Sequence, residues 1–527
     1  MLTRMHHLVA QTAVRHGDRP ALTFRDRTAS YAELWQGVAG FAGGLHGLGL
    51  QRGDRVAVYL DKRIETVTAV FGVSAADGVF VPVNPLFKPR QLGHIIVDSG
   101  ARVLVTSVER FPVLRDELEG CKSLEYVILV GGAVDAAVET VDPAAAYTVL
   151  AWDAVQNGPI GPDAGVIDVD MAAIFYTSGS TGKPKGVVLS HRNLLVGAQS
   201  VASYLGNHEG DVILAALPLS FDAGFSQLTT GFGAGAHVVL VNYLLPGDVV
   251  KLCAKHKVTG LTCVPPLWIQ LVEQQWPDEA SQHLRYFANT GGRMPKATLE
   301  RLRAIFPQAK PYLMYGLTEA FRSTYLDPSE VDRRPDSIGK AIPNAEILVV
   351  RPDGSLCDPG EEGELVHRGA LVALGYWNDP QRSAERFRPA PGRPAGLAMD
   401  EIAVWSGDAV VRDEEGFLYF VGRKDEMIKT SGYRVSPTEI EEAAYDTGLV
   451  RDAVALGVED ARLGQYVALV ASPTEGTALD SEALLAALRR NLPAYMVPRE
   501  VLVRDEIPRS PNGKFDRTLV RQEVTGR

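Results

Sequence analysis

Apolar residues follow two alternating patterns along the first half of the chain. Short Val-rich runs at residues 55–60, 79–84 and 102–107 are typical of strands that are buried on both faces. Around them, residues 31–48 and 66–76 place apolar side chains at helical spacing. Strands that alternate with helices in this way predict parallel sheets covered by helices, so the expected fold class is α/β.

The pattern changes from about Ser337. The segments EILVVRPDGSL, GELVHRG and GFLYFVGR read as short strands joined by DG and EEG turns, which predicts a small antiparallel β region. After Arg423 the α/β pattern returns. Ser436 and Glu439 fit a capping box, and a further helix is expected to begin near residues 480–481. We therefore expect a large N-terminal domain of stacked α/β sheets plus a small β region, then a small α+β C-terminal domain.

Composition and charge narrow the class of protein. The chain has 527 residues and a net charge of −11, which argues against nucleic acid or an anionic membrane as the main partner. No apolar run approaches the roughly 20 residues that a membrane-spanning helix needs, and we see no signal peptide. The four cysteines are scattered without a CxxC pair, which favours a reduced, cytoplasmic protein without a metal site.

One segment is rich in Ser, Thr, Gly and Lys: YTSGSTGKPKGVVLSH, from Tyr176 to His191. It is not a Walker A loop, because Pro184 follows Lys183 and Thr177 stands where that motif needs glycine. It still offers glycines that let the backbone approach a ligand, hydroxyl donors and two cations, as a phosphate site requires. The alternative is a solvated Ser/Gly linker, but such linkers rarely continue into a buried strand.

This segment resembles the phosphate loop of the adenylate-forming superfamily, which includes acyl- and aryl-CoA synthetases, luciferases and adenylation domains of nonribosomal peptide synthesis. The resemblance extends in chain order over nearly the whole sequence, through VFVPVNP, YGLTE, GELVHRGALVALGYW, SGD, GRKDEMIKTSGYRVSPTEIE, LPAYMVP and NGKFDR. The segments LFKPRQLGHII, VPPLWIQL and RRPDSIGKAIPNAEI also resemble those of a subgroup of AMP-forming acyl-CoA ligases that is associated with bacterial exosortase systems.

The resemblance implies a reaction in two steps. A carboxylate attacks the α-phosphate of ATP and gives an acyl-adenylate and pyrophosphate, and a thiol then displaces AMP. The first transition state gathers negative charge, so it needs cations and donors placed in advance. The implied cofactors are ATP and Mg²⁺, with CoA or a phosphopantetheine arm as the thiol acceptor.

The resemblance also implies roles for individual residues in nucleotide binding. Thr318 matches a phosphate contact and Glu319 the magnesium ligand. The β- and γ-phosphates would be held by the loop residues Thr177, Ser178, Gly179, Ser180, Thr181, Gly182, Lys183 and Lys185. Adenine and ribose would be held by Gly291, Gly292, Tyr315, Asp408 and Arg423.

Two lysines and a hinge are implied in the C-terminal domain, which rotates between the half-reactions in this superfamily. Lys514 matches the lysine that bridges the carboxylate and the α-phosphate during adenylation. Lys429 matches a lysine on the opposite face, where Gly432 would let the pantetheine arm pass. Asp425 matches the hinge. The predicted domains are therefore 1–424, which binds ATP and the acid, and 425–527, which is mobile.

The segment LPLSFDAGFSQL bears on the choice of acid. Many fatty-acyl and aryl-CoA ligases carry His at the position of Phe221. Here Phe221, Asp222 and Ala223 match the segment of amino-acid-activating domains, whose Asp pairs with the substrate's ammonium. A carboxylate in an apolar pocket is costly unless a cation meets it, and a substrate amine would supply one. The alternative is that Asp222 caps the following helix.

The rest of the acid pocket, carried over by position, comprises Ser226, Cys263, Ala288, Thr290, Met314, Arg322 and Ser323. Most of these side chains are small or of medium size. Arg322 is the exception and allows two interpretations. If it faces the pocket, it can pair with a second carboxylate of the substrate; if it faces away, it is an ordinary salt-bridge partner.

The leading interpretation is a stand-alone acid–thiol ligase that acts on an amino acid or another amine-bearing acid and delivers it to CoA or to a separate carrier protein. A conventional acyl-CoA synthetase for a simple fatty or aryl acid, with Asp222 structural, is the main alternative. A non-catalytic nucleotide-binding protein is a remote one, because Lys514, Glu319 and Asp408 are all present.

Overall fold

A computed structural model describes residues 2–132, 146–156, 158–159, 161, 164–177, 184–392, 394, 396–423, 427–474, 478–508 and 515–526. Several predicted functional residues lie outside these ranges: most of the phosphate loop (178–183), the hinge residue Asp425, and Lys514. Their roles stay predictions.

Two mostly parallel sheets form the frame of the first domain. Among the described residues, the larger sheet has nine strands, in the spatial order Lys340–Ala341, Thr324–Leu326, Lys310–Tyr315, Tyr286–Asn289, Gly260–Cys263, Val212–Ala215, His237–Leu240, Pro20–Phe24 and Arg27–Ser30. The other has eight, in the order Gly375–Tyr376, Lys185–Ser190, Met171–Thr177, Val79–Pro82, Arg55–Val58, Val103–Ser107, Tyr126–Val130 and Thr148–Ala151. Central strands are buried along their whole length, as their Val-rich sequences predict.

Helices cover the faces of these sheets. They span His7–His16, Tyr31–Gly47, Ile64–Ala75, Pro89–Ser99, Phe111–Leu118, Trp152–Val155, His191–Leu205, Asp222–Ala234, Pro246–His256, Pro265–Leu271, Asp278–His283 and Lys296–Ile305, with 3₁₀ turns at Thr318–Ala320 and Pro328–Glu330. The helix Tyr31–Gly47 begins after Ser30, whose hydroxyl accepts a hydrogen bond from the backbone N–H of Glu33 in a capping box. The helix His191–Leu205 ends at Gly206, which adopts a left-handed conformation.

A small antiparallel region follows, as the DG and EEG turns predict. Its strands are Ala345–Val350, Glu362–Gly369, Ile402–Arg412, Phe387–Pro389 and Leu418–Arg423, and the helix Pro380–Arg386 lies between two of them in the chain. Each of the strand pairs described in this sheet is antiparallel. The region forms one side of the site described below.

The second domain is a sheet with helices on both faces. Its strands are Tyr433–Val435, Ile428–Thr430, Gly464–Pro473, Val450–Asp460 and Glu500–Val503, and its helices are Pro437–Tyr445, Ser481–Asn491 and Arg517–Thr525, with a 3₁₀ turn at Ala494–Met496. Side chains of the strand Val450–Asp460 alternate between two cores. Ala453 and Ala455 pack beneath the first two helices, whereas Val454 and Leu456 pack against the last one.

The capping box predicted for Ser436 and Glu439 is wrong. The helix Pro437–Tyr445 does begin after Ser436, but the Ser436 side chain makes no capping hydrogen bond. Glu439 instead reaches the first domain, where its carboxylate accepts a hydrogen bond of 2.7 Å from the Gln91 side chain. The other predicted start is confirmed, since the Asp480 side chain caps the next helix.

The two domains also touch at their rims and near the predicted acid pocket. Arg90 of the first domain forms an ion pair with Asp446 of the second. The ring of Phe221 lies against the ring of Tyr433. These contacts place the second domain over the carboxyl ends of the parallel strands, which is where α/β folds bind their ligands.

Two expectations concern the whole chain. All four cysteines are buried, and none of them forms a disulfide in the structure. In the part of the chain that the structure describes, we find no helix with both the length and the apolar character needed to cross a membrane.

Candidate active site

Two adjoining cavities lie where the second domain meets the first. The first cavity has a volume of about 500 Å³ and the second about 710 Å³, both typical of small-molecule sites. They share the backbone of Gly291 and Gly316 and, from the second domain, Lys429 and Gly432. Ligands bound in the two cavities would therefore meet at this shared wall.

A hairpin of the second domain, formed by Ile428–Thr430 and Tyr433–Val435, lies at both cavities. Its turn contains Ser431 and Gly432, with φ of 52° and 81°. A Cβ atom on Gly432 would lie only 2.9 Å from a methyl carbon of Val264 in the first domain, so a side chain there requires the hairpin or Val264 to shift. The face that carries Lys429 and Gly432 is thus the one turned toward the cavities.

The second cavity is lined by residues predicted to hold adenine, namely Gly291, Gly292 and Tyr315. The Tyr315 hydroxyl donates a hydrogen bond to the buried carboxylate of Asp408, the predicted ribose acceptor. Asn289 lines the same cavity, although the sequence analysis did not single it out. Its side-chain oxygen is buried and has no hydrogen-bond partner among the described residues, so it is an acceptor suited to the amino group of adenine.

The two residues that flank the predicted phosphate loop, Thr177 and Lys185, lie side by side. Thr177 ends one strand and Lys185 begins the next, and the two residues pair in register. The Thr177 hydroxyl lies at the first cavity and has no hydrogen-bond partner in the described part of the chain. In the small β region, the backbone of Asp408 pairs with that of Arg423 in the strand register.

A buried charge cluster surrounds Glu319. The Lys185 ammonium lies 3.2 Å and the Tyr376 hydroxyl 2.6 Å from the same carboxylate oxygen of Glu319. Burial alone would raise the pKa of Glu319, but the positive charges of Lys185 and Arg434 outweigh it and hold that pKa well below its usual range. Glu319 is therefore ionised at any working pH.

This carboxylate fits a magnesium ion that arrives with a nucleotide. Mg²⁺ keeps most of its water and phosphate ligands and takes only one or two carboxylates from a protein. Among the described residues, no group of three or more His, Cys, Asp or Glu side chains forms a metal site of its own. Glu319 would hold the ion, which when bound neutralises charge on the phosphates.

Asp222 opens onto the first cavity. It is the first residue of the helix Asp222–Ala234 and not its cap, because the N-cap is Phe221. Its carboxylate accepts a long hydrogen bond of 3.4 Å from the Thr318 hydroxyl. Burial raises the pKa of Asp222, and the positive charge of Arg322 opposes that rise. Asp222 also interacts with the backbone N–H of Ala223 in the first turn of this helix, so the alternative that it stabilises the start of the helix stays open.

Arg322 also lines the first cavity, which favours the first of its two interpretations, and that interpretation stays a prediction. The residue is only 2 % exposed. One terminal nitrogen donates to the Thr290 hydroxyl at 2.7 Å, and no carboxylate oxygen of the described residues lies within 4.0 Å of the guanidinium. The preceding residue, Phe321, has a φ of 56°, an unfavourable backbone conformation that redirects the chain just before Arg322.

Lys62 is a cavity residue that the sequence analysis missed. Its ammonium group donates to the main-chain carbonyls of Ala215, Ala216 and Leu217 at 2.9, 2.8 and 3.1 Å. Burial lowers the pKa of Lys62 to about 7. The three carbonyls come just before the segment that leads to Asp222, so Lys62 anchors that segment from the other sheet. In the sequence it looks like an ordinary loop lysine.

The residues that the resemblance assigns to the acid pocket divide into three groups. Phe221, Ala223 and Thr290 line the first cavity together with Asp222 and Arg322. Met314 lines the second cavity. A third group is buried but lines neither cavity, comprising Ser226, Cys263, Ala288 and Ser323.

Known proteins show the same architecture. Residues 9–377 match the family model described as AMP-binding enzyme, and residues 439–514 match the AMP-binding enzyme C-terminal domain. The chain is 32% identical to the long-chain-fatty-acid–CoA ligase of Salmonella typhimurium, over 99% of this chain and 94% of that protein. It is 29% identical to tyrocidine synthase 3 of Brevibacillus parabrevis, over 97% of this chain and 8% of that protein. A solved structure of o-succinylbenzoate CoA synthetase from Bacillus subtilis has a TM-score of 0.83 at 25% identity, and the match covers 98% of both chains.

The chain therefore belongs to the AMP-binding enzyme family, within the adenylate-forming superfamily that its motifs indicate. It is an AMP-forming acid–thiol ligase, an enzyme that uses ATP to activate a carboxylate and then joins the acyl group to a thiol. The expected fold, a large α/β domain followed by a smaller one, is confirmed. The two family models end and begin on either side of the predicted boundary at 424, which stays a prediction.

Proposed function

We propose that this ligase activates an acid that carries an amine, and that Asp222 binds that amine as an ammonium group. The acid's carboxylate attacks the α-phosphate of ATP, and pyrophosphate leaves. A thiol then attacks the acyl carbon, and AMP leaves. CoA or the phosphopantetheine of a separate carrier protein accepts the acyl group.

One observation carries the choice of acid: the Asp222 carboxylate faces the cavity without a bound cation. Its hydrogen bond from Thr318 is long, at 3.4 Å, and no cationic nitrogen of the described residues lies within 4.0 Å of it. An enclosed carboxylate is costly unless a cation meets it. A substrate ammonium in the cavity would give Asp222 a close cation, whereas an amine-free acid would leave it with the neutral donors Thr318 and the Ala223 backbone and the more distant charge of Arg322.

The two half-reactions use different faces of the second domain in this proposal. Lys514 bridges the carboxylate and the α-phosphate in the first half-reaction, and Glu319 holds Mg²⁺. In the second half-reaction, Lys429 and Gly432 face the cavities and the thiol passes beside the Gly432 backbone. The hairpin contact between Gly432 and Val264 supports this second arrangement.

The test compares acids that differ only by the amine. ATP–pyrophosphate exchange is measured with alanine and propionate, phenylalanine and 3-phenylpropionate, and glutamate and glutarate, for the wild type and Asp222→Asn. The exposed Asp332→Asn serves as the matched control. We expect a preference of about 100-fold for one amine-bearing acid, lost in Asp222→Asn alone. Equal use of both members of each pair, unchanged by Asp222→Asn, would reject the amine assignment.

A conventional acyl-CoA synthetase is the second candidate. It is favoured by the many apolar side chains in the wall of the first cavity, among them Val58, Leu60, Val70 and Val241, and by the name of the Salmonella relative. In that case Arg322 alone balances Asp222, and the enzyme exchanges pyrophosphate only with fatty or aryl acids. Thioester formation with CoA and with a phosphopantetheine-loaded carrier protein then identifies the acceptor.

A further inference from the structure

We propose that Arg322 binds a second carboxylate of the substrate, so that the acid is an amine-bearing dicarboxylic acid. This inference rests on the proposed function, because it takes the amine to lie at Asp222. It names the substrate class that the two charged residues of the first cavity would select together.

The first step is the burial of a charge that lacks a counter-ion. Arg322 is 2 % exposed, and in the described part of the chain no carboxylate oxygen lies within 4.0 Å of its guanidinium. One terminal nitrogen donates to Thr290, while Nε is buried without a hydrogen-bond partner among the described residues. Buried arginines are normally paired, because an unpaired one loses hydration without compensation. A ligand anion would supply the missing pair.

The second step is that the side chain is held in place. A Cβ atom on Gly316 would lie 3.4 Å from Cδ of Arg322, so the aliphatic part of the arginine packs closely over this glycine. The hydrogen bond to Thr290 fixes the other end at 2.7 Å. A guanidinium that is already oriented loses little entropy when it binds a carboxylate through two parallel hydrogen bonds.

The third step is the pattern of charge in the cavity. Asp222 and Arg322 line the same cavity and act on each other electrostatically, yet they form no direct ion pair. A ligand that carries both an ammonium and a carboxylate would match these two residues by charge. Lys62 is a less suitable anion partner, because its three N–H groups donate to three main-chain carbonyls.

Two other roles for Arg322 make different predictions. If it oriented the carboxylate that is adenylated, its removal would weaken the reaction of all acids by a similar factor. If it only balanced Asp222, the enzyme would not distinguish a distal carboxylate from its amide. A second carboxylate is singled out only when removal of Arg322 affects dicarboxylic acids selectively.

The experiment is ATP–pyrophosphate exchange with the full chain and matched acids. The panel contains aspartate, glutamate and 2-aminoadipate, the amides asparagine and glutamine, leucine, and the amine-free succinate and glutarate. Wild type, Arg322→Met and Arg322→Lys are compared, with Arg333→Met as an exposed control. We expect kcat/KM for one amino dicarboxylic acid to exceed that for its amide by about 100-fold, and Arg322→Met to remove this preference while Arg333→Met keeps it.

Other outcomes overturn the proposal. A wild-type preference for the amide or for leucine rejects it, and so does a uniform loss over all acids in Arg322→Met. Thermal unfolding and AMP binding check that the variants fold. If Arg322→Met does not fold, the comparison of the wild type with Arg322→Lys over the same panel tests the proposal. Glutarate used as well as glutamate, with both lost in Arg322→Met, would reject the amine at Asp222 but keep the Arg322 assignment. If glutamine is used as well as glutamate and glutarate is not used, the Arg322 assignment is rejected and the amine at Asp222 is kept.

Discussion

The ring of Phe221 in the first domain lies edge-on to the ring of Tyr433 in the second, with centroids 5.3 Å apart. Phe221 directly precedes Asp222, the proposed amine partner. Tyr433 follows Gly432 in the hairpin of the second domain. Its ring stacks on the ring of Tyr495, with centroids 3.8 Å apart. The segment that leads to Asp222 and the hairpin are thus in direct contact, so the position of the second domain bears on the shape of the first cavity.

A side chain at Gly432 is expected to impair thioester formation more than adenylation. Gly432→Ala adds a Cβ atom 2.9 Å from Val264 at a φ of 81°, so it hinders docking of the hairpin. We expect thioester formation with CoA to fall at least about tenfold more than ATP–pyrophosphate exchange. Gly448→Ala is the control, since Gly448 has a similar φ of 69° but open space around it. Equal effects of the two substitutions on thioester formation would contradict the prediction.

Replacement of Lys62 by Met is expected to destabilise the protein. It would leave the carbonyls of Ala215, Ala216 and Leu217 without their shared donor inside the protein. We expect the free energy of unfolding to fall by about 3 kcal/mol in urea titration, and KM for the acid to rise because the segment before Asp222 loses its anchor. The exposed Lys255→Met should change neither quantity. A stable Lys62→Met variant with an unaltered KM would refute the anchoring role.

Asp222 should make activity on an amine-bearing acid depend on pH. Burial raises the pKa of Asp222, so the carboxylate takes up a proton at a higher pH than an ordinary aspartate. Only the ionised form attracts an ammonium group, so kcat/KM should fall as the pH is lowered, and the fall should begin at a higher pH than for an ordinary aspartate. Profiles of pyrophosphate exchange for wild type and Asp222→Asn test this. The same fall in both would assign it to another group.

Glu319 should govern the magnesium requirement without contributing a titration. Its pKa is held far below the working range, so no acidic limb of the profile belongs to it. A chelator should abolish exchange, and Glu319→Gln should lower it by about 100-fold, with partial recovery at high Mg²⁺. The exposed Glu300→Gln provides the control. Full activity of Glu319→Gln at low Mg²⁺ would remove Glu319 from the metal.

Glu439 should make the observed docking of the second domain sensitive to pH. Burial raises the pKa of Glu439 to about 7, although the hydrogen bond from Gln91 opposes the rise. The docked form thus binds a proton more readily than a solvated glutamate of pKa about 4.3, so docking is favoured at low pH and weakens as pH rises to about 7. Thioester formation relative to exchange should follow this trend in the wild type, whereas Glu439→Gln should be insensitive. A Glu439→Gln variant with the wild-type profile would contradict it.

The sequence predicted the fold well because the relevant signals are local. The strand expected at 55–60 is Arg55–Val58, and the helix expected at 66–76 is Ile64–Ala75. Nucleotide-binding candidates also came from short motifs, since a loop that approaches phosphate needs glycine and hydroxyl residues at close spacing.

The errors and omissions involve partners that are distant in the chain. Lys62 binds carbonyls more than 150 residues away, and Glu439 meets Gln91 across 348 residues, so neither contact has a local signature. The direction of Arg322 follows the unusual backbone of Phe321, which residue type alone does not predict.

Tyr433 and Tyr495 of the second domain line the first cavity, whereas most of its other lining residues belong to the first domain. An acyl-adenylate is a reactive mixed anhydride, and water competes with the thiol for it whenever the second domain lies away from the cavity. If the second domain rotates as predicted, the rate of AMP release in the absence of a thiol therefore reports the fraction of time that the cavity is open to water. Variants that weaken the contact between the hairpin and the first domain should hydrolyse the acyl-adenylate, and so consume ATP without making thioester, before they lose the ability to form the acyl-adenylate.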